Sequence, residues 1–212
     1  MEQVSATRSE LLARRARIRL AAQGRDLLSE RRSALAREFD RLGASALASV
    51  DRLDRATAGA GQLLGISIAA DGREPLASAA FAANDGVEVR VRTRSVAGVP
   101  IVKSEKGHVE RARTARGYSL VATSARVDAV AERFEIVLDR LLDVAALELS
   151  VRRLADEIAR TTRRMNALEH VVVPRLEAER SRISQVLEGR ELEDRVRLRR
   201  MRARARREGT GR

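Results

Sequence analysis

The sequence contains no cysteine and no tryptophan, and it has few aromatic residues of any kind. Without cysteine the chain cannot form disulfides, use a thiolate nucleophile or bind a metal through sulfur. One tyrosine and three phenylalanines supply few of the large side chains that fill a globular core. Charged residues make up 34% of the chain. This balance argues against an ordinary globular domain and favours long helices, which need only a narrow apolar seam between them.

Long hydrophobic runs and catalytic motifs are also missing. No stretch of about 18 apolar residues is present and the N-terminus lacks the apolar core of a signal peptide, so we expect a cytoplasmic chain without a membrane span. No G-x-x-x-x-G-K-[ST] phosphate-binding loop occurs. The two histidines, His108 and His170, are far apart in sequence and predict neither a metal site nor a general base. The sequence therefore predicts no catalytic, metal-binding or cofactor-binding residue, and no enzymatic activity of its own.

Positive charge is concentrated at the two ends of the chain. The formal net charge is +12, from 42 basic and 30 acidic residues. Residues 1–25 hold six arginines and two acids, and residues 190–212 hold ten arginines and four acids. If the two ends lie together, they form one strongly cationic tip. Such a tip suits either an acidic or carbonyl-lined protein cavity or the phosphates of nucleic acid.

Apolar spacing predicts a first long helix over about residues 1–65. Thr7 and Glu10 form an S/T-x-x-E capping box at its start. Leu28, Leu35 and Leu42 recur every seven residues, as in the seam of a coiled coil. Several glycines and an Asp-Gly turn signal place the end of this helix between about residues 58 and 70.

The middle of the chain, residues 66–123, has a different pattern. Residues 86–94 alternate apolar and polar side chains, which is typical of a half-buried strand. The segment that follows contains Gly98 and Pro100 as candidate turn residues, and a returning strand completes a β-hairpin over about residues 86–103. Residues 104–117 are polar and poorly periodic, which indicates a loop.

Helical spacing returns over residues 124–207, and residues 208–212 are predicted to be a flexible tail. From Leu154 to Leu187, apolar residues recur at intervals of three, four or seven residues. A helix this long cannot bury its stripe alone, so we expect it to pack antiparallel on the first helix. Pro174 predicts a bend within a continuous helix. If the two chain ends lie at the same height along the helix pair, Gly24 is expected to lie opposite Gly189. The predicted fold is mainly α: a long antiparallel two-helix coiled coil with a small central β-hairpin module.

Part of the C-terminal helix resembles a known family. Residues 154–174 read LADEIARTTRRMNALEHVVVP, which is similar to the L-A-x-E-I-x-x-T-x-R-R-V-N-A-L-E-x-x-x-I-P signature of the D subunits of archaeal/vacuolar (A/V-type) rotary ATPases. The TRSELL segment at residues 7–12 and the VAGVP segment at residues 96–100 also resemble motifs of that family. The likeness covers both terminal arms, whereas the central region matches weakly.

This resemblance implies a central-stalk rotor that carries torque between a membrane ring, which moves protons or sodium ions, and a hexamer of catalytic A and B subunits. The implied partners are the A and B subunits, the small F subunit of the rotor and a funnel-shaped subunit that joins the membrane ring. The chain would be peripheral to the cell membrane through the complex, and would need no cofactor and no direct contact with nucleic acid. The residues then expected to contact the surrounding subunits are Arg163, Arg164, Asn166, Glu169, Arg195, Arg197, Arg199, Arg200, Arg202, Arg204, Arg206 and Arg207.

Plainer interpretations of the same residues stand beside this one. Each arginine can simply belong to a solvated helix face, and the polar residues at 163–169 can form ion pairs or fix the register of the coiled coil. A basic coiled coil that binds nucleic acid is a second possible function, although stacking aromatics and helix-turn-helix or zinc-finger spacings are missing. A passive coiled-coil scaffold is a third, since periodicity alone supports it equally.

Overall fold

In a computed structural model of the chain, residues 6–82, 86–106, 109, 111–119 and 123–209 are described. Most of them are helical, in agreement with the predicted mainly α fold and its central hairpin. The elements in chain order are α1 (Arg8–Asp71), α2 (Glu74–Ala82), β1 (Val89–Val96), β2 (Val99–Lys106), a 3-10 turn (Arg113–Ala115), α3 (Ala125–Ala167), a π-helical turn (Leu168–Val172) and α4 (Val173–Gly209).

The chain divides into two compact units. We call Met1–Arg32 together with Arg160–Arg212 the terminal unit, and Ser33–Ala159 the central unit. Each unit contains a segment of α1 packed against a segment from the C-terminal half of the chain.

In the terminal unit the two segments run antiparallel. The guanidinium Nη2 of Arg8 lies 2.7 Å from Oε1 of Glu191, and Nε of Arg14 lies 2.9 Å from Oε2 of Glu179. A Cβ placed on Gly24 would lie 3.9 Å from Cδ1 of Leu168. Residue numbers along α1 therefore increase as the numbers of the residues they contact decrease, as an antiparallel arrangement requires.

The register of this pairing differs from the prediction. Leu168, rather than Gly189, lies beside Gly24, and a Cβ built on Gly189 would meet no atom within 4 Å. The prediction was wrong because it assumed that the two chain ends are level. Glu191 already pairs with Arg8, the first residue of α1, so α4 continues to Gly209 past the start of that helix.

Pro174 is accommodated without a break in the helix. A proline has no N–H to donate, and its ring crowds the carbonyl one turn earlier. The chain responds with the π-helical turn at Leu168–Val172, in which the N–H of Val173 donates to the carbonyl of Leu168. The helix resumes at once as α4, so the predicted continuity is confirmed.

The central unit contains the main apolar core. Leu35 and Leu42 of α1 and Leu154 of α3 are buried together with Val99 and Ile101 of β2. The seven-residue spacing predicted this role for the two α1 leucines. The hairpin therefore packs on the helix pair and helps to close its seam. Half-buried residues around this core are Phe39, Val96, Leu147, Val151 and Ile158.

A two-residue turn connects β1 and β2. Ala97 and Gly98 both have positive φ angles, 48° and 84°, as the tight turns favoured in hairpins require. Val96 faces Val99 across this turn. Pro100 lies in β2 opposite Ser95, and pairing continues to Val89 and Lys106, so the second strand reaches into the segment that polarity indicated as a loop.

The end of α1 is tied to the start of α3. The helix ends at Asp71, one residue beyond the predicted interval, and Gly72 follows with a φ of 81°, a conformation that glycine adopts freely after a helix. The carboxylate of Asp71 accepts a hydrogen bond of 2.6 Å from Oγ of Ser124 and further bonds from Arg126. These bonds hold the two helix ends together.

Candidate functional site

The terminal part of α4 is a single helix that displays its side chains to solvent. From Glu191 to Arg204 every side chain is exposed, including Leu192, Val196 and Met201. The last described contacts of α4 with the start of α1 are made by Arg190 and Glu191. Beyond them, the α4 side chains up to Arg204 are exposed among the described residues, so a partner can reach this segment.

Arginines lie on two sides of this segment. Successive residues of an α-helix are turned by about 100°, so Arg195 and Arg199 project to one side and Arg197 and Arg200 to another. The remaining side carries Asp194, Leu198 and Met201. Arg195 donates to the backbone carbonyl of Glu191 at 3.1 Å. Within the described side chains, the others form no ion pair: Arg197, Arg199, Arg200, Arg202 and Arg204. The side chains of Arg206 and Arg207, also predicted as contacts, lie outside the described residues.

A second candidate surface is the signature segment next to the π-helical turn. Its four predicted contact residues are all exposed: Arg163, Arg164, Asn166 and Glu169. Buried polar positions that fix a coiled-coil register would be covered by the other helix, so exposure argues against that interpretation here. Thr161 and Leu168 instead face the interior, fully and partly buried.

Electrostatic interactions at this surface are weak. The guanidinium of Arg25 has a raised pKa chiefly because it hydrogen-bonds to Asp26, with a smaller contribution from the negative charge of Glu169. Arg163 and Arg164 form no salt bridge to any part of the chain that is described. Exposed valines at positions 171 and 172 adjoin these polar groups. The combination of charge and apolar surface is suited to binding another protein.

The central unit contains a buried ion cluster that sequence reasoning missed. Arg116 donates from Nε and Nη2 to the two carboxylate oxygens of Glu135, each at 2.9 Å, and it also pairs with Asp128. Tyr118 donates its hydroxyl proton to Asp128 at 2.9 Å. The two carboxylates raise the pKa of Arg116, with the hydrogen bonds to Glu135 as the largest cause. The only sequence signal for this cluster is the seven-residue spacing of Asp128 and Glu135, which places both carboxylates on the same face of a helix.

This cluster lies beside an apolar groove of about 470 Å³ within the central unit. Tyr118 lines the groove, and burial raises the pKa of its hydroxyl. Phe134 and Leu138 on the groove wall remain 42% and 36% exposed, so the groove is open to solvent. Its remaining apolar lining includes Leu64, Leu76, Val87, Val109, Val127 and Val130.

Metal sites and membrane spans are both missing from the described residues. They contain no group of three or more histidine or acidic side chains arranged to hold a metal ion. None of the helices in the described ranges has a stretch long and apolar enough to cross a membrane. His108 lies outside those ranges, and His170 is exposed on the π-helical turn.

Comparison with known proteins gives a consistent result over nearly the whole chain. The profile of a family described as the D subunit of ATP synthase matches residues 10–203. The V-type ATP synthase D subunit of Anaeromyxobacter sp. (strain Fw109-5) is 41% identical over 213 residues, which cover 100% of this chain and 99% of that protein. The V-type ATP synthase D subunit of Anaeromyxobacter dehalogenans is 42% identical over 204 residues, or 96% and 98% of the two chains. The A-type ATP synthase D subunit of Thermococcus gammatolerans is 39% identical over 200 residues, 94% of each chain.

Proposed function

The chain belongs to the family of ATP synthase D subunits, and from this membership we propose that it is the central-stalk rotor of a V/A-type ATP synthase. In this role it transmits torque between a membrane ring that moves protons or sodium ions and a hexamer of catalytic A and B subunits. It catalyses no reaction itself. The other partners are the small F subunit of the rotor and a funnel-shaped subunit that connects the rotor to the membrane ring at its cytoplasmic side.

The observation that carries this proposal is the single arginine-bearing helix at the end of α4. A shaft inside a ring meets a new set of neighbours at each angle, so a contact that fits only one orientation would stop it. Arginines on two sides of this helix offer positive charge over a wide range of angles. Their long side chains reach acidic groups or carbonyls over several ångströms without requiring one fixed geometry.

The signature surface supplies a second proposed contact. Arg163, Arg164, Asn166 and Glu169 are exposed in the terminal unit, where an enclosing subunit could reach them. Exposed polar groups exchange hydrogen bonds with successive partners at little cost, because water can replace each partner in turn. We expect these four residues to contact the A or B subunits during rotation.

A truncation tests the proposed role of the terminal helix. We expect removal of residues 195–212 to weaken the coupling between ATP hydrolysis and ion transport in the reconstituted complex. The circular dichroism of the isolated variant should show that residues up to 194 remain helical. The reason is that the deleted segment extends past Arg8, where α1 begins, and so lies beyond the last described contacts of α4 with the start of α1. Normal coupling after truncation would contradict the proposal.

A charge variant separates the arginines from the helix that carries them. Replacing Arg199, Arg200 and Arg202 by glutamine removes three exposed charges from the tip. The matched control replaces three exposed arginines of the central unit, Arg55, Arg73 and Arg133. We expect the tip variant to lower the coupled transport rate more than the control does. Equal effects would show that net charge, not its position, is what matters.

Copurification distinguishes the rotor from a nucleic-acid-binding protein. At moderate salt, the tagged chain should be recovered from native membranes with the A and B subunits. Recovery with DNA or RNA and without these subunits would contradict the proposal. Nucleic-acid binding falls steeply with salt, so the recovery should be repeated at a second salt concentration.

A further inference from the structure

We propose that the outer edge of β1 is a docking site for an acidic β-strand of another protein chain. The proposal concerns an interaction surface within the central unit and does not depend on rotation. It follows from the direction of the backbone groups in the hairpin, from the closure of one hairpin edge by α3, and from the charge of β1.

The pairing register shows which backbone groups of the hairpin point outward. Val96 and Val99 flank the two-residue turn and form a hydrogen-bonded pair, and such pairs alternate with non-hydrogen-bonded ones along an antiparallel ladder. Pro100, which has no N–H, therefore lies at a position whose backbone points away from β1. By the same alternation, the groups of β1 that point away from β2 belong to Val89, Val91, Thr93 and Ser95.

The corresponding edge of β2 is closed by α3. The hydroxyl oxygen of Ser150 accepts a hydrogen bond of 2.9 Å from the N–H of Val102 and also lies 3.2 Å from the carbonyl oxygen of the same residue. Arg153 donates to the carbonyl of Pro100 at 3.2 Å. These bonds independently support the assigned direction, since only outward groups of β2 could reach a helix. Ser150 is fully buried, so this edge is unavailable to a partner.

The edge of β1 has no such cover. All its side chains except that of Val96 are exposed, and Val91 is 60% exposed. In the described part of the chain, no residue hydrogen-bonds to the outward groups of Val89, Val91, Thr93 or Ser95. A row of free N–H and C=O groups on an exposed edge can pair with an added strand.

The charge of the strand selects the partner. β1 reads VRVRTRSV, with Arg90, Arg92 and Arg94 and no acidic residue. Arg94 is paired with Glu38 at 2.9 Å and Arg90 with Glu88 at 3.0 Å. The side chains of Arg90 and Glu88 are 74% and 72% exposed, so a carboxylate of an incoming strand can replace Glu88 at little cost. A second copy of this chain would bring arginines opposite arginines, which is unfavourable between neighbouring strands. A strand with acidic residues opposite Arg90 and Arg92, and apolar residues opposite Val89 and Val91, would complement both faces.

Charged residues on an edge strand also have a purely protective role, because they discourage aggregation. Protection predicts that the edge binds no strand, whereas docking predicts that an acidic strand binds and a basic one does not. The two interpretations therefore give opposite results with a suitable peptide.

The experiment uses the full chain and two synthetic octapeptides. In one peptide glutamate alternates with valine or threonine, and in the other lysine replaces glutamate. Amide hydrogen exchange is followed residue by residue by NMR. We expect the acidic peptide to slow exchange at Val91, Thr93 and Ser95, while Arg90, Arg92 and Arg94, already bonded to β2, change little. The lysine peptide should leave both sets unchanged.

Two variants identify the edge as the binding site. Thr93→Pro removes an outward N–H without touching the ladder to β2, and we expect it to weaken binding of the acidic peptide about tenfold. Thr93→Val keeps the N–H and should bind like the native chain. Continued protection of Arg92 and Arg94 amides would show that the Thr93→Pro hairpin is intact. The double variant Arg90→Glu with Arg92→Glu should prefer the lysine peptide, which tests the charge argument even if the proline variant fails to fold.

The proposal would be overturned if the acidic peptide at millimolar concentration did not slow amide exchange, or if both peptides slowed it equally. It would also be overturned if the slowed amides did not alternate along β1. Equal binding by Thr93→Pro and Thr93→Val, with the hairpin intact, would contradict it as well. Failure of rotation in the assembled complex would leave the peptide result unaffected, so the two proposals fail separately.

Discussion

The terminal and central units are made from the same helical arms but place their charged groups differently. In the terminal unit, the Arg8–Glu191 pair is 79% and 52% exposed at its two side chains. In the central unit, Arg116, Asp128 and Glu135 are 6%, 10% and 14% exposed. Exposed pairs add little to stability, whereas removing one member of a buried cluster leaves an uncompensated charge. The terminal unit also has a buried arginine, Arg14, but its partners Glu10 and Glu179 are 29% and 25% exposed. We infer that buried charge contributes more to the fold in the central unit, and that the terminal unit presents more of its charge to partners.

The largest expected effect is in the buried cluster. Arg116→Ala would leave the carboxylates of Asp128 and Glu135 buried without their cation, and we expect it to lower the free energy of unfolding of the central unit by about 3 to 5 kcal/mol. Tyr118 is the sole tyrosine, and no tryptophan is present, so its fluorescence during urea unfolding reports on this unit. The triple variant that also carries Asp128→Asn and Glu135→Gln should be less destabilised. An equal loss in both variants would refute the charge explanation.

The apolar core should show the next largest effect. Leu154 is fully buried, and Leu154→Ala should cost about 3 kcal/mol through lost burial and the cavity left behind. Leu12 of the terminal unit is 63% exposed, so Leu12→Ala should cost less than about 0.5 kcal/mol. Urea midpoints of the two variants, measured by circular dichroism, test this difference. Similar costs would contradict the assignment of Leu154 to the apolar core.

Acid should weaken the link between the ends of α1 and α3. Hydrogen bonds from Arg126 and Ser124 lower the pKa of Asp71 to about 2, from an ordinary value of 3.8. Because the folded-state pKa is lowered, the stabilisation is complete above about pH 4 and is lost as the pH falls towards 2. An NMR titration of the Asp71 carboxyl carbon measures this pKa. Arg126→Gln should raise it towards 3.8, and an unchanged pKa in that variant would contradict the assigned cause.

The smallest effect is expected at the exposed pair of the terminal unit. Arg8→Ala removes the 2.7 Å salt bridge to Glu191, yet we expect it to change the free energy of unfolding by no more than about 0.5 kcal/mol. Thermal unfolding at low and high salt provides the measurement. A loss above about 1.5 kcal/mol would show that surface charge also maintains the fold of this unit.

Periodicity predicted the parts of the fold in which apolar residues repeat. Leu35, Leu42 and Leu154 are buried where the seam requires them, and the alternating segment forms a strand. These patterns are readable because each helix or strand must bury one face, and the spacing of its apolar residues shows which one.

Contacts that depend on tertiary structure could not be read in this way. Nothing in the local sequence distinguishes Arg116 from the other arginines, because its position between Asp128 and Glu135 is set by tertiary structure. The pairing of Gly24 with Leu168 depends on where α4 ends relative to α1, which local spacing does not determine. The arginine contacts proposed at the tip stay predictions, because their partners belong to other chains.

Single-molecule rotation tests the central claim most directly. The native chain has no cysteine, so Arg133→Cys introduces a unique attachment point at an exposed position of the central unit. With the catalytic subunits of the assembled complex fixed to a surface, a bead on this cysteine should rotate in one direction when ATP is added. Continued ATP hydrolysis by the same labelled complexes with a stationary bead would contradict the proposal that this chain is the rotor.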